Sequence, residues 1–432
     1  MLYDTPAQKR ALILTSLTHF VNDGVSMVPL SIFPLLLTMF GLAAPELGVV
    51  AAMWSITSVI GSPIVGHLSD RLKRNSALIV IGLVLMAAGV VGTGWAVATG
   101  NVRSWLPLDL YPALVLFAAI GGLGSSVCHP VGGTILSQTY PSSRTGIALG
   151  LNGAMGSLGR ALYPTGVVIL ITVLNLPYGV IALGLLGLIP AALIGLFPIG
   201  GARRGLKNPA NKRTPVSEEK KTMGLGDSAK RPSMGRSAKI NVLVLTTMAV
   251  IRGTFGQGVV SFLSVFIVQV QLYSFDFGVG VIMMIAIVLG VPGQIIFGRF
   301  SDLHRVESVA INTLGQSLTI ILYLMTLSNP FVSVTCLALF GFFTYSSYPV
   351  FLSAVADLVP ADFLSLSNSI VWGIGVLGGN SIGPVIVGLL VGENLSLLPS
   401  IFLTLAIVSG LSTSLVVFLP RRPKQSLAAL RS

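Results

Sequence analysis

Two stretches, Gly66–Asn75 (GHLSDRLKRN) and Gly298–Glu307 (GRFSDLHRVE), read as two copies of one motif. Each follows an apolar run long enough to cross a bilayer, and the copies lie 232 residues apart. A Gly-x-(Leu/Phe)-Ser-Asp loop repeated between hydrophobic helices marks a membrane bundle that has been doubled. Two further pairs keep the same order. His129-Pro130-Val131 matches Tyr348-Pro349-Val350, and Gly156-Ser157-Leu158-Gly159 matches Gly375-Val376-Leu377-Gly378, both at an offset of 219 residues. The change of offset implies insertions between the motifs.

Composition agrees with lipid as the main solvent. Charged residues are 9% of the 432 and hydrophobic ones 53%, against about 25% charged in a soluble domain. Twelve apolar runs reach the roughly 20 residues a spanning helix needs: 11–37, 47–66, 77–98, 110–137, 145–172, 177–199, 241–270, 278–297, 308–327, 331–355, 363–390 and 397–419. The predicted fold is therefore an all-α membrane protein of twelve transmembrane helices in two pseudo-symmetric six-helix bundles. Residues 1–199 would form the N-terminal bundle and 241–420 the C-terminal bundle. A disordered basic cytoplasmic linker would occupy 200–240, and 421–432 would be a cytoplasmic tail. Met1–Arg10 has no cleavable-signal pattern, so the first helix is expected to stay as an anchor.

The net charge of +12 does not imply nucleic acid. Eleven of the 26 Lys and Arg fall between Gly200 and Ile240. Lys9, Arg10, Arg71, Lys73, Arg74, Arg144, Arg299, Arg305, Arg421, Arg422, Lys424 and Arg431 flank the helices on that same side, and only Arg103 falls in an opposite loop. This bias places both termini in the cytoplasm of a plasma (inner) membrane, where basic clusters can also touch anionic lipid. Cys128 and Cys336 lie inside apolar runs, and no Cys/His spacing suggests a metal. No catalytic motif and no nucleotide-binding motif is present, so neither an enzyme nor a cofactor is expected.

Ionisable groups inside a membrane cost about 2.5–3.5 kcal/mol each on insertion scales, so each needs a reason. Asp23 is the one deep carboxylate, and Arg160 and Arg252 are the deep guanidiniums. Ser16, His19, Asn22, Asp23 and Ser26 form a polar stripe along the first helix, which should face water or protein. A carboxylate there can exchange a proton, with His19 and His129 as relay candidates. The competing structural reading is an ion pair with an arginine. Arg160 shares a helical face with Asn152, Gly156 and Tyr163, and its planar fork suits a carboxylate or phosphonate. Substrate-binding candidates are thus Asn22, Asn152, Arg160, Tyr163, Arg252, Tyr348 and Trp372, with Tyr345 a possible member of the same aromatic wall. Their bland alternatives are packing for the aromatics, carbonyl capping for His129 and snorkelling for Arg252.

The paired loop motifs, the 6+6 helices and the charged central stretch resemble the major facilitator superfamily over the whole chain. The loop signature of that family runs roughly Gly-x-Leu-x-Asp-Arg-x-Gly-Arg-Arg/Lys. Gly66, Leu68, Asp70, Arg71 and Arg74 match it, while Lys73 stands where Gly is usual; the second copy keeps Gly298, Asp302 and Arg305. The resemblance implies that Asp70 and Asp302 belong to a breakable cytoplasmic latch that stabilises an outward-facing state. His19-Phe20-Val21-Asn22-Asp23, His129-Pro130 and Arg144-Thr145-Gly146 further resemble the fosmidomycin-resistance type of efflux protein. Two features depart from drug–proton antiporters. The fourth helix has no Arg, and Tyr163 precedes Pro164 where Gly-Pro is usual; a cleaner version, Gly379-Asn380-Ser381-Ile382-Gly383-Pro384, lies in the eleventh helix.

The resulting expectation is a monomeric, proton-coupled secondary transporter of a small organic anion working by alternating access. Its partners would be small-molecule substrate, protons and lipid, with no nucleic acid. Drug-type efflux by antiport stands first. An anion–proton uptake symporter for organic phosphate or carboxylate, and a non-transporting membrane sensor, are the alternatives. Electrostatics alone leans toward co-transport, because protonating Asp23 would leave the arginines free for an anion.

Overall fold

The structure, a computed structural model, describes residues 5–99, 108–199, 234–360 and 363–420. Arg103, most of the expected linker (200–233) and the 421–432 tail lie outside the described residues, as do the side chains of Asp302 and Tyr348. Among the described residues, twelve helices are long and apolar enough to cross a membrane. They are α1 (Pro6–Phe40), α2 (Ala44–Leu72), α3 (Asn75–Thr99), α4 (Leu110–Thr139), α5 (Arg144–Leu174) and α6 (Leu176–Leu196), followed by α7 (Arg236–Val270), α8 (Phe277–Ser301), α9 (Arg305–Met325), α10 (Pro330–Leu358), α11 (Leu366–Val391) and α12 (Leu395–Phe418). Every expected run has its helix. Most helices run past the apolar stretch, because backbone bonding continues into the polar interface. Large apolar side chains such as Val173, Leu196 and Phe331 are exposed around the outside, as lipid contact requires.

Several helices break just before a proline. Pro130 has no N–H for the carbonyl of Ser126, α4 breaks at Ser126, and Ser62 Oγ donates to that carbonyl at 3.3 Å. Breaks at Ser26, Gly187, Leu289 and Ser346 likewise precede Pro29, Pro190, Pro292 and Pro349. The chain thereby exposes backbone groups in mid-helix where side chains of neighbouring helices can reach them.

Within the halves, α1 packs along α5, α3 along α4, and α7 along α11. Between them, α2 meets α11, α5 meets α8, and the second part of α1 meets α7. These meetings gather on the face opposite the termini. Ser264 Oγ donates to the Leu30 carbonyl at 2.5 Å, and Phe33 and Phe262 lie 6.1 Å apart at their ring centres. Thr165 Oγ1 donates to the Gly280 carbonyl at 2.9 Å. A Cβ at Gly48 would lie 2.5 Å from the Pro384 carbonyl oxygen, and one at Gly388 would lie 2.6 Å from that of Ala44. Nearer the middle, Gln294 Nε2 donates to Ser157 Oγ at 2.6 Å. Two and three turns further toward the termini, exposed Gly150 and Gly146 on the same face of α5 have nothing within 4 Å of a built Cβ. The cleft between the halves is closed on the far face and open on the face of the termini.

The loop after α2 shows why glycine is usual where Lys73 stands. This residue caps α2 with φ 52°, in the left-handed region, where a side chain costs about 1–2 kcal/mol and glycine does not. The buried Ser69 Oγ–Asn75 Oδ1 hydrogen bond, 2.8 Å, ties the loop across this strained residue. Lys73→Gly should therefore raise the stability of the purified protein by up to about 1 kcal/mol after the unfolded-state entropy of glycine is deducted, read as a higher midpoint in thermal unfolding. At the closed face, Gly48→Ala and Gly388→Ala should push the halves apart and favour the opposite state. The readout is maleimide labelling of Gly150→Cys, which should slow several-fold; native Cys128 and Cys336 are buried and contribute little background.

Candidate functional site

The site grows from the closest approach of α1 and α5. A Cβ at Gly159 would lie 2.0 Å from the Phe20 carbonyl oxygen, and one at Gly156 would lie 2.5 Å from His19 Nε2 and 2.6 Å from Asp23 Oδ2. Only hydrogen at these two positions lets the helices touch, and that contact delivers Arg160 to Asp23. Arg160 Nη2 donates to Asp23 Oδ2 at 2.6 Å, with the acid side chain 4% and the arginine 26% exposed. Asn22 Nδ2 donates to Asp23 Oδ1 at 2.9 Å. Ser26 Oγ, at the break in α1, donates to the Asp23 carbonyl at 2.6 Å.

Two imidazoles complete the cluster. His19 Nδ1 lies 2.8 Å from Asn152 Oδ1; with the amide so oriented, Nδ1 donates. The other ring nitrogen, Nε2, lies 3.2 Å from Asp23 Oδ2. Two acceptors do not sit face to face at that distance, so one proton belongs between them. His129, at the break in α4, puts Nε2 3.7 Å from Asp23 Oδ1, with its side chain 51% exposed to the open cleft. Its ring stands edge-on to that of His19 at 4.8 Å. A water-accessible imidazole thus stands beside a buried acid–base pair.

His19, Asp23 and His129 bring three ligand atoms within 4.8 Å of one another, a set that could hold a divalent ion. The guanidinium already lies 2.6 Å from the shared carboxylate, so a metal would sit against a fixed positive charge. The donors fit a proton better than a cation.

Asp23, His19, His129, Asn22, Asn152 and Arg160 are therefore gathered in one place. The other candidates whose side chains are described fall elsewhere. Tyr163 packs on Phe20 at 5.9 Å and fills the space above Gly24, one turn from the charges. Trp372 packs against the hydrophobic cluster at the terminal end of the second half. Arg252 is 3% exposed and gives Nη2 to the backbone carbonyls of Phe343 and Thr344 at 2.6 and 3.3 Å; it makes no ion pair among the described residues. What the second half does contribute is Tyr345, whose ring centre lies 5.4 Å from Arg160 Cζ, and Gln294. The signal for Gln294 was legible: it is the one amide in the apolar run 278–297.

The loop motifs sit apart from this cluster, at the terminal face. Asp70, Arg71 and Arg74 are exposed, Gly66 has open space around it, and Asp70 makes no ion pair among the described residues. In the second copy, a Cβ at Gly298 would meet Pro349 Cβ at 3.9 Å. Arg305 is engaged, pairing with Asp357 at 3.3 Å and donating to the Ser353 carbonyl at 3.4 Å. Asp357, with its side chain 6% exposed, belongs to this region and was not singled out from the sequence.

The family model of the Major Facilitator Superfamily matches residues 15–362 and, again, 292–431. The chain belongs to that superfamily. It is an integral membrane protein and a secondary transporter. It is 24% identical to the "uncharacterized MFS-type transporter YfnC" of Bacillus subtilis (strain 168) over 390 residues, 87% of this chain and 86% of that one. It is 29% identical to the fosmidomycin resistance protein of Escherichia coli (strain K12) over 164 residues, 38% of this chain and 36% of that one. In fold it is similar to a bacterial homolog of the human lysosomal transporter Spinster in an inward-facing and unoccupied conformation. The TM-score is 0.71 at 16% identity, covering 96% and 95% of the two chains.

The glycine contact gives a direct test of the site. Gly156→Ala should cost about 1–3 kcal/mol by overpacking, seen as a lower unfolding midpoint, and abolish transport by forcing α5 off the His19–Asp23 pair. Gly150→Ala, which meets open space, should change neither.

Proposed function

We propose that this superfamily member moves a small organic anion together with a proton across the plasma membrane. The observation that supports this is the proton demanded between His19 Nε2 and Asp23 Oδ2 while Arg160 grips the same carboxylate oxygen at 2.6 Å. With that proton the three groups total one positive charge; without it they total zero. An uncompensated buried charge is costly, so the protonated cluster invites an anion and the deprotonated one does not. A solute carboxylate or phosphonate competes with Asp23 for the planar fork of Arg160, and protonation weakens the competitor. His129 gives the proton a wet path from the cleft.

The positive-inside bias makes the open face cytoplasmic. Coupling of this sign is co-transport, driven inward by a proton gradient. Drug-type efflux by antiport is the second reading, supported by the similarity to the fosmidomycin resistance protein. The exposed Asp70–Arg71–Arg74 loop fits a latch that is released in the cytoplasm-facing state and engaged in the other.

Proteoliposomes carrying a pH dye, challenged with fosmidomycin and with a panel of phosphonates and carboxylates, separate the readings. Proton entry with the solute supports co-transport, proton movement against it supports antiport, and no flux across the panel leaves the sensor reading. Asp23→Asn should abolish proton-driven accumulation while solute exchange persists. Arg160→Lys should weaken binding of the anion nearly as much as Arg160→Gln, because the fork is lost although the charge remains. Full rescue by lysine would mean that Arg160 only balances Asp23.

A further inference from the structure

Arg252 is the second deep cation of the protein, and the cleft does not explain it. Its guanidinium is buried, faces no carboxylate within ion-pair distance among the described residues, and spends Nη2 on Phe343 and Thr344 carbonyls. Those carbonyls end the first segment of α10, Pro330–Tyr345, just before the break at Ser346. The last carbonyls of a helix lack partners in their own helix and form its negative pole. Asn312 Nδ2 of α9 donates to the same Phe343 carbonyl at 2.9 Å, and Gln316 Nε2 donates to Thr344 Oγ1 at 3.1 Å. Two helices therefore converge on one break. The residue next along the chain is Tyr345, which lies under Arg160 of the opposite half. On its other side, α8 presses against it where a Cβ at Gly290 would lie 2.7 Å from Tyr345 Cβ.

We propose that Arg252 is a positioning residue: it caps the broken end of the first segment of α10, and so holds the Tyr345 ring where it can receive the guanidinium of Arg160. A cation over an aromatic face within about 6 Å is attracted to it. Arg160 accordingly has two partners, the Asp23 carboxylate in its own half and the Tyr345 face in the other. When the carboxylate loses its hold, the ring offers the guanidinium a second seat without returning it to lipid. Arg252 sets that seat and does not touch the transported solute. The inference stands whether the solute proves to be an anion or not.

The test is a mutant cycle on full-length protein in phosphatidylcholine–phosphatidylglycerol nanodiscs. Arg160→Gln and Tyr345→Leu, singly and together, should be non-additive in unfolding midpoint, since each removes the same contact. That coupling should vanish when Arg252→Gln is added and return in part with Arg252→Lys, which restores a donor to the carbonyls. Hydrogen exchange provides the second readout. Backbone amides of 343–350 should exchange at least ten-fold faster in Arg252→Gln and less so in Asn312→Leu, while those of 122–130 at the break in α4 stay unchanged. If Arg252→Gln fails to fold, Arg252→Lys and Asn312→Leu carry both measurements. Unchanged coupling, or unchanged exchange at 343–350, overturns the proposal.

Discussion

The ion pair between Asp23 and Arg160 is the constraint to which the rest of the first half answers. A carboxylate at that depth without any partner would be neutralised and a guanidinium without any partner expelled, and a half-satisfied pair would be worse than an apolar contact. The pair can exist only if α1 and α5 come within backbone contact, which accounts for Gly156 and Gly159. It also has to be saturated with hydrogen bonds, which accounts for Asn22 on the carboxylate, Asn152 on His19 and Ser26 on the backbone carbonyl. The imidazole at 129 reaches the pair because Pro130 interrupts α4 and turns the preceding residues toward the cleft.

The proposed function asks for more than a pair; it asks that the pair be felt by the other half. Here the geometry is economical. The far face is closed by close-packed contacts of glycine against backbone, in which a single methyl would intrude. The middle is crossed by one amide–hydroxyl hydrogen bond and by the Arg160–Tyr345 contact. Polar and aromatic contacts of that kind are weak individually and can be remade, whereas the closed face separates only as a unit. Two states a few kcal/mol apart are the natural result of such a division.

Much of this was legible in the chain, for physical reasons that differ by feature. The twelve helices could be read because lipid imposes a length and forbids charge. The duplication was visible in Gly66–Asn75 and Gly298–Glu307 because a loop motif survives where core residues drift. Asp23, His19, Asn22, Asn152 and Arg160 stood out because a polar group in hydrocarbon must have a partner. The partner itself was not legible. Periodicity puts Arg252 and Arg160 on equal footing, since both are deep cations. Only the fold reveals that one meets a carboxylate and the other a row of carbonyls. Tyr163 and Trp372 were ambiguous for another reason, because an aromatic ring serves packing and recognition equally well, and in the fold both rings pack. Lys73 looked like a lapse in a loop motif; the left-handed backbone at that position explains why glycine would be at home there.

The pseudo-symmetry carries the last step. Asp23 and Arg252 are 229 residues apart, within the range set by the motif offsets of 219 and 232. Both lie on the first helix of their half, and both reach toward the break in the fourth. One position holds an acid that meets two imidazoles and a guanidinium; the other holds a base that meets backbone carbonyls. A carboxylate can lose its charge by taking a proton, and a guanidinium in a protein does not. The two related positions thus hold a titratable group in one half and a permanent charge in the other. In the proposed function the proton-dependent change would therefore be confined to the N-terminal half, with the break in α10 as the fixed reference against which it acts.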